Sequence, residues 1–277
     1  MKRFPFIVAF LMTTVAFLSV AAAADEGFRA VKPRNFDPFH TKLVNASWVG
    51  GIGCPTDAKV VLFNSVSPYQ LLPPSTYTDP ACTTGDARDK NNEGLLMAKT
   101  GPTLNDAAAA ADLVGVKGTV LSELGYDIRK PGVDGSTGSR GSHCGAGAPR
   151  FDIFLQGDSN VYYIGCNSPP ATTQTPGDGF IRLRWGDGTT LNAYQNGVTP
   201  TNISGRTVQS ITIIFDEGYD AVFGGPDFFG LAVLDNIDVN GTMVGKGGGG
   251  DNTGDNGNAG GDGGGGPNGG FHGGGGN

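Results

Sequence analysis

Apolar residues in this chain fall in short runs that alternate with polar ones and are cut by Gly, Pro, Asn and Asp. That pattern belongs to half-buried strands rather than to amphipathic helices. It is clearest over 180–185, where Ile181, Leu183 and Trp185 fall on one face and Arg182 and Arg184 on the other. A strand is predicted there, with Trp185 buried. Gly186-Asp187-Gly188-Thr189 then predicts a turn back into a strand over 190–194, closing a hairpin. A second hairpin is predicted from 150–155 and 161–165, joined by Gln156-Gly157-Asp158-Ser159-Asn160, with Phe151, Ile153 and Leu155 against the core. Further strands are predicted over 60–63, 94–99, 119–129, 208–215 and 231–239.

One helix is predicted, over 105–114, because Asn105 or Asp106 can cap the alanine run 107–111 and Gly115 can stop it. Many short strands with regular turn signals and almost no helix point to an all-β fold, an antiparallel β-sandwich of jelly-roll type. Parallel α/β folds need repeated helices that the pattern lacks. Residues 25–245 are read as a single domain, in which 25–45, with Pro33 and Pro38 among charged residues, forms an extended lead-in. Beyond it, eighteen of the last thirty-one residues are Gly, mixed with Asn and Asp. Such a segment has too little apolar area to offset the entropy of ordering it, so 246–277 is expected to be a disordered Gly-rich tail.

Residues 1–24 change how the rest is read. Lys2 and Arg3 precede an apolar run over 6–20, and Ala22-Ala23-Ala24 supplies an A-x-A cleavage site before Asp25. This is the pattern of a signal peptide, and it predicts a secreted or periplasmic product with no membrane insertion once the signal is removed. Without Lys2 and Arg3 the chain carries nine more acidic than basic residues. A surplus of that sign excludes nucleic acid as a partner. Four cysteines, Cys54, Cys82, Cys144 and Cys166, are an even count in an exported chain, the setting in which disulfides form. Sequence proximity favours Cys54 with Cys82 and Cys144 with Cys166, among three possible pairings. Zinc and redox chemistry are disfavoured, since there is no C-x-x-C and only His40 and His143 lie outside the tail.

Catalytic signatures are sparse. No G-x-S-x-G elbow and no phosphate-binding Gly-rich motif occurs. His143 sits in a Gly- and Ser-rich run beside Cys144, where a loop histidine is ordinarily solvent-facing. Asp127, Asp152, Asp216 and Glu217 lie on or beside predicted strands and are the carboxylates from which a glycosidase pair would have to come.

Two features point to binding. Leu231, Val233, Asp235, Ile237 and Val239 alternate along the last predicted strand, so Asp235 falls on an otherwise apolar face. A carboxylate there needs a cation or several donors. Ca²⁺ suits an exported protein and makes Asp235 a candidate structural calcium ligand, while backbone N–H groups are the other way to satisfy it. Tyr162 and Tyr163 are the second feature. Adjacent strand residues face opposite sides, so one of the two is offered to a ligand.

The segment Leu234-Asp235-Asn236-Ile237-Asp238-Val239-Asn240-Gly241 resembles the closing strand of jelly-roll carbohydrate-binding modules. The resemblance implies a β-sandwich that recognises glycans, with Asp235 near a structural calcium. The expectation is therefore an exported, non-catalytic sandwich with a binding or structural role, possible partners being an extracellular glycan or a surface component. Its rivals are a carboxylate-dependent extracellular hydrolase and a purely structural envelope or matrix component.

Overall fold

Alternation produces strands here because each face of the sandwich sheets meets a different environment. The computed structural model describes residues 27–54, 60–62, 69–71, 86–99, 107–130, 147–170, 172–177, 180–195, 199–216 and 230–247. In chain order the strands begin with β1 (Ala30–Phe36), β2 (Val44–Val49), β3 (Val60–Leu62), β4 (Tyr69–Leu71) and β5 (Gly94–Lys99). Then come β6 (Ala108–Val114), β7 (Leu124–Arg129), β8 (Arg150–Leu155), β9 (Val161–Gly165), β10 (Thr172–Gly177) and β11 (Phe180–Trp185). The remainder are β12 (Asn192–Gln195), β13 (Thr199–Asn202), β14 (Val208–Phe215), β15 (Gly230–Val239) and β16 (Thr242–Val244).

Two antiparallel sheets face each other. The first runs β1-β6-β14-β8-β9-β12-β13, and the second β10-β11-β7-β15-β5-β2 with β16 added beside β15. β3 and β4 pair separately. Between the sheets lies one large apolar cluster that takes Phe151, Ile153 and Leu155 from β8, Ile211, Ile213 and Phe215 from β14, and Leu124, Tyr126 and Ile128 from β7. Trp185 is buried in it, as its phase predicts. Its ring meets Tyr126 edge-on at 5.2 Å between centroids and Phe151 at 6.2 Å. Such pairs each contribute about 0.5–1.5 kcal/mol beyond area burial. The all-β antiparallel sandwich is thus the fold.

Three local expectations are corrected. The segment predicted as a helix over 105–114 is strand β6 from Ala108 onward, while Asn105 and Asp106 lie outside the described residues. Ladders with β1 on one side and β14 on the other override alanine's helical preference. Small side chains also let β6 be buried on both faces, with Ala109 and Ala111 in the main core and Ala108 and Ala110 against Ile214 outside it.

β11 and β12 do not form a hairpin. They belong to different sheets, and the turn at Gly186, Asp187 and Gly188, all with positive φ, carries the chain across the sandwich. Only β8 and β9 form the predicted hairpin.

β15 does not alternate throughout. Its register to β7 shifts between Asp235 and Asp238, and Asn236 takes a φ of 45° at that bulge, a conformation asparagine tolerates better than most residues. The phase flips there. Leu231, Val233 and Asp235 face outward, whereas Ile237 and Val239 face the core.

Candidate functional site

Two outer faces remain once the core is assigned, and they differ in kind. On the second sheet the outer face is sealed. Ile52, Cys54, Leu96, Ala98, Phe180, Leu231 and Val233 form a separate apolar cluster there. Beside it runs a row of charge. Asp127 is fully buried and receives Arg182 Nε and Nη2 at 2.8 Å each and Asn236 Nδ2 at 2.9 Å. Asp235 lies opposite Asp127 in the register. Its two oxygens accept the N–H of Cys54 at 2.7 Å and of Asn236 at 2.6 Å. Burial above all, then the neighbouring Asp127 carboxylate, holds the Asp235 carboxyl well above the usual range against those two donors.

Two backbone donors thus reach Asp235. Among the described residues no group of three or more His, Cys, Asp or Glu side chains converges to hold a metal ion. Cys54 and Cys166 are buried, and neither is a free thiol. Cys82, Cys144 and His143 lie outside the described residues, as does Glu217.

The outer face of the first sheet is different. Register pairs place Lys32, Asp112, Thr212, Asp152, Tyr163, Tyr194 and Pro200 side by side on seven successive strands. At 4.7–4.9 Å per strand, the part from Asp112 to Tyr194 spans about 19 Å. Tyr163 and Tyr194 are half-buried and directly opposite each other. Neither hydroxyl hydrogen-bonds to a described residue. Tyr162 points the other way, into the core, with 4% exposure and its hydroxyl on Asp158 Oδ2 at 2.7 Å. Of the two tyrosines singled out in the sequence, Tyr163 is thus the one on the outer face. Phe154, one of the few exposed large apolar residues among the described residues, lies two residues along β8 from Asp152 on the same side.

Asp152 is the polar centre of this row. Arg150 donates from Nε to Asp152 Oδ1 at 3.0 Å and from Nη1 to both oxygens of Asp216 at 2.8 and 3.0 Å. The other Asp152 oxygen accepts nothing from the described residues. Burial, with the Asp216 charge adding to it, pushes the Asp152 carboxyl up to about 6 although Arg150 pulls it down. The same burial, followed by the Asp152 charge, raises the Tyr163 phenol. Arg150 also lies 5.9 Å from the Tyr163 ring centroid, which steadies that ring. At the far end Asp112 is already engaged by Thr212 Oγ1 at 2.8 Å and Arg34 Nε at 2.9 Å.

Chemically the row offers two aromatic rings with open hydroxyls next to an acceptor with spare capacity. Flat rings pack on apolar ligand faces, and the polar groups beside them take directed hydrogen bonds. Alternation along β8 and β9 was the signal for Asp152 and Tyr163. Thr212 and Asp112 were not singled out, because only the cross-strand register brings them to the row, and Arg150, on the same face of β8 two residues before Asp152, was passed over although the same alternation places it there.

No family model matches this chain, and no curated protein does. Among solved structures it is similar to the family 11 carbohydrate-binding module of cellulosomal cellulase Lic26A-Cel5E of Clostridium thermocellum. The identity is 13%, with 79% of this chain and 91% of that one covered at a TM-score of 0.31. It is also similar to a family 11 carbohydrate-binding module from Clostridium thermocellum in complex with a β-1,3-1,4-mixed-linked tetrasaccharide, at 14% identity, 79% and 92% coverage and a TM-score of 0.30. Both are carbohydrate-binding modules, the class that Leu234–Gly241 resembles. At these identities and TM-scores the likeness assigns no function to this chain.

Proposed function

We propose that this protein is an exported, non-catalytic β-sandwich that binds glycans across the outer face of its first sheet. One observation carries the reading: Tyr163 and Tyr194 stand side by side next to Asp152, with hydroxyls that no described residue uses. A sugar ring presents an apolar C–H face to the tyrosines and hydroxyls to the carboxylate. The signal-like pattern over 1–24 supports export, and export supports disulfides pairing Cys54 with Cys82 and Cys144 with Cys166. Each would staple a loop to the sandwich, worth roughly 3 kcal/mol.

The test is a glycan-array screen of the full chain, followed by titration of the best ligand at about pH 7.5 and pH 5. Asp152 titrates near 6 in the folded protein, so it is ionised at the higher pH and largely protonated at the lower. An ionised acceptor makes the stronger hydrogen bonds. Binding is expected to weaken several-fold at pH 5 in the wild type and to lose that dependence in Asp152→Asn. Absence of binding at both pH values sinks the proposal.

A hydrolytic reading is favoured by one feature only, the pairing of Asp152 and Asp216 on a single guanidinium beside Tyr163. Shortened oligosaccharides released from a bound glycan would establish it in place of simple binding.

A further inference from the structure

At one end of the sandwich the corner 118–123 carries the chain from β6 in the first sheet to β7 in the second, and it is stitched to both. Toward the first sheet, Gly118 N donates to Val208 O, Val208 N to Thr119 O, and Leu121 N to Arg206 O, each at 2.9 Å. Toward the second, the turn after β15 does the work. Asn240 Oδ1 accepts Ser122 N at 2.8 Å and Glu123 N at 3.0 Å, and Asn240 Nδ2 donates to Val120 O at 2.7 Å. These bonds hold at any ordinary pH.

One further link is ionisable. Asp238, 1% exposed, stands opposite Gly125 in the β15–β7 register, and Asn240 N donates to Glu123 O at 3.1 Å. Glu123, two residues before Gly125, therefore lies diagonally beside Asp238 on the same face, within reach of its carboxyl. Asp238 Oδ1 accepts Gly241 N at 2.8 Å. Its Oδ2 lies 3.0 Å from Arg184 Nε, yet receives no well-directed hydrogen bond from it. A buried acceptor in that state is costly. A proton on Glu123 gives the Asp238 carboxylate a further donor, because two carboxyl groups hydrogen-bond only when one of them is protonated.

We propose that Glu123 and Asp238 form a proton-operated clasp, closed when they share a proton and loosened when both are ionised, which holds the 118–123 corner against β15. The charges around the pair set the balance. Arg184 from β11 favours ionisation, while Asp187 from the following turn and Asp127 from β7 oppose it. Burial, followed by Asp238, moves Glu123 from 4.5 up to about 7, and burial raises Asp238 as well. The sign follows: a raised folded-state value gives stability that is complete below the unfolded value and is lost as pH climbs through about 7. The corner also touches the crossover leading to Tyr194, since a Cβ on Gly186 would sit 2.1 Å from Ser122 O.

The test uses the full chain. Thermal melting of wild type and Glu123→Gln is followed from about pH 5 to pH 8.5, a window set by linkage. The glutamine amide donates to Asp238 at every pH, so the wild-type melting point is expected to fall by several degrees relative to the variant as pH rises. Parallel pH profiles overturn the clasp. Should the variant fail to fold, the carbonyl ¹³C shift of Glu123 in the wild type decides: a midpoint near neutrality supports the clasp, and one near the ordinary glutamate value of about 4.3 removes it.

Discussion

Asp127→Ala is expected to lower the unfolding free energy of the full chain by about 3–5 kcal/mol, the cost of taking one partner out of a buried ion pair. Asp127 is completely buried on β7, with Arg182 bound in a two-point fork and Asn236 as a third donor. Arg184 Nη1 approaches the same carboxylate at 3.5 Å. Alanine removes the negative charge at the centre of this group and takes from Arg182 its two-point carboxylate partner in a poorly hydrated place, while Arg184 keeps Asp238 at 3.0 Å. Native domains hold only about 5–15 kcal/mol in total, so much of that margin disappears. The matched control is Arg34→Ala on the other sheet. Arg34 and Asp112 are each 45% exposed, and an exposed pair contributes about 0–1 kcal/mol. Urea unfolding of both variants checks the contrast, and a loss under about 1 kcal/mol for Asp127→Ala would show that burial at this row does not govern the network.

That network also marks where sequence reading stops. Period-two alternation located β8, β9, β11 and β14, because each packs one face on the core along most of its length, the β14 register to β8 shifting only near its start, between Val208 and Ser210. It failed where a single residue changed the register. At Asn236 the bulge flips the phase of β15, so a face that reads as Leu231 through Val239 is split between the outer cluster and the core. A bulge leaves little trace in hydropathy, since all ten residues of β15 are buried on either face. The alanine run misled for another reason. Helical propensity favours alanine locally, but β6 sits between two partner strands, and its small side chains are what allow packing on both sides.

Connectivity was the third limit. Gly186-Asp187-Gly188 specifies a sharp turn, and a sharp turn serves a hairpin or a crossing between sheets equally well. Which one forms is decided by distant pairing of β11 with β7 and of β12 with β9. The candidate site lies at the same level. Sequence parity says that Tyr162 and Tyr163 face apart, but not which one faces out. The register settles it: Ile153 stands opposite Tyr162 and Asp152 opposite Tyr163. Since Ile153 is a core residue, Tyr163 shares the outer face with Asp152, and Tyr194 joins them through β12.

Tyr163→Ala is accordingly expected to weaken binding of the array-selected glycan by about thirtyfold, the loss typical of removing an aromatic anchor worth about 2 kcal/mol. Tyr194→Ala should act in the same direction, and the double variant should bind undetectably if both rings contact one ligand. Tyr163→Phe separates ring from hydroxyl. It keeps the stacking face and loses one hydrogen bond of about 0.5–1.5 kcal/mol, so only a few-fold loss is expected. Tyr162→Ala is the opposite control. Tyr162 is a core residue at 4% exposure, so its truncation should cost about 3–5 kcal/mol of stability while the folded fraction binds as before. Isothermal titration of each variant, with melting measured alongside, distinguishes these outcomes. Equal affinities for wild type, Tyr163→Ala and Tyr194→Ala would move the binding face off the first sheet altogether, because no other described aromatics on that face stand side by side on neighbouring strands with unused hydroxyls.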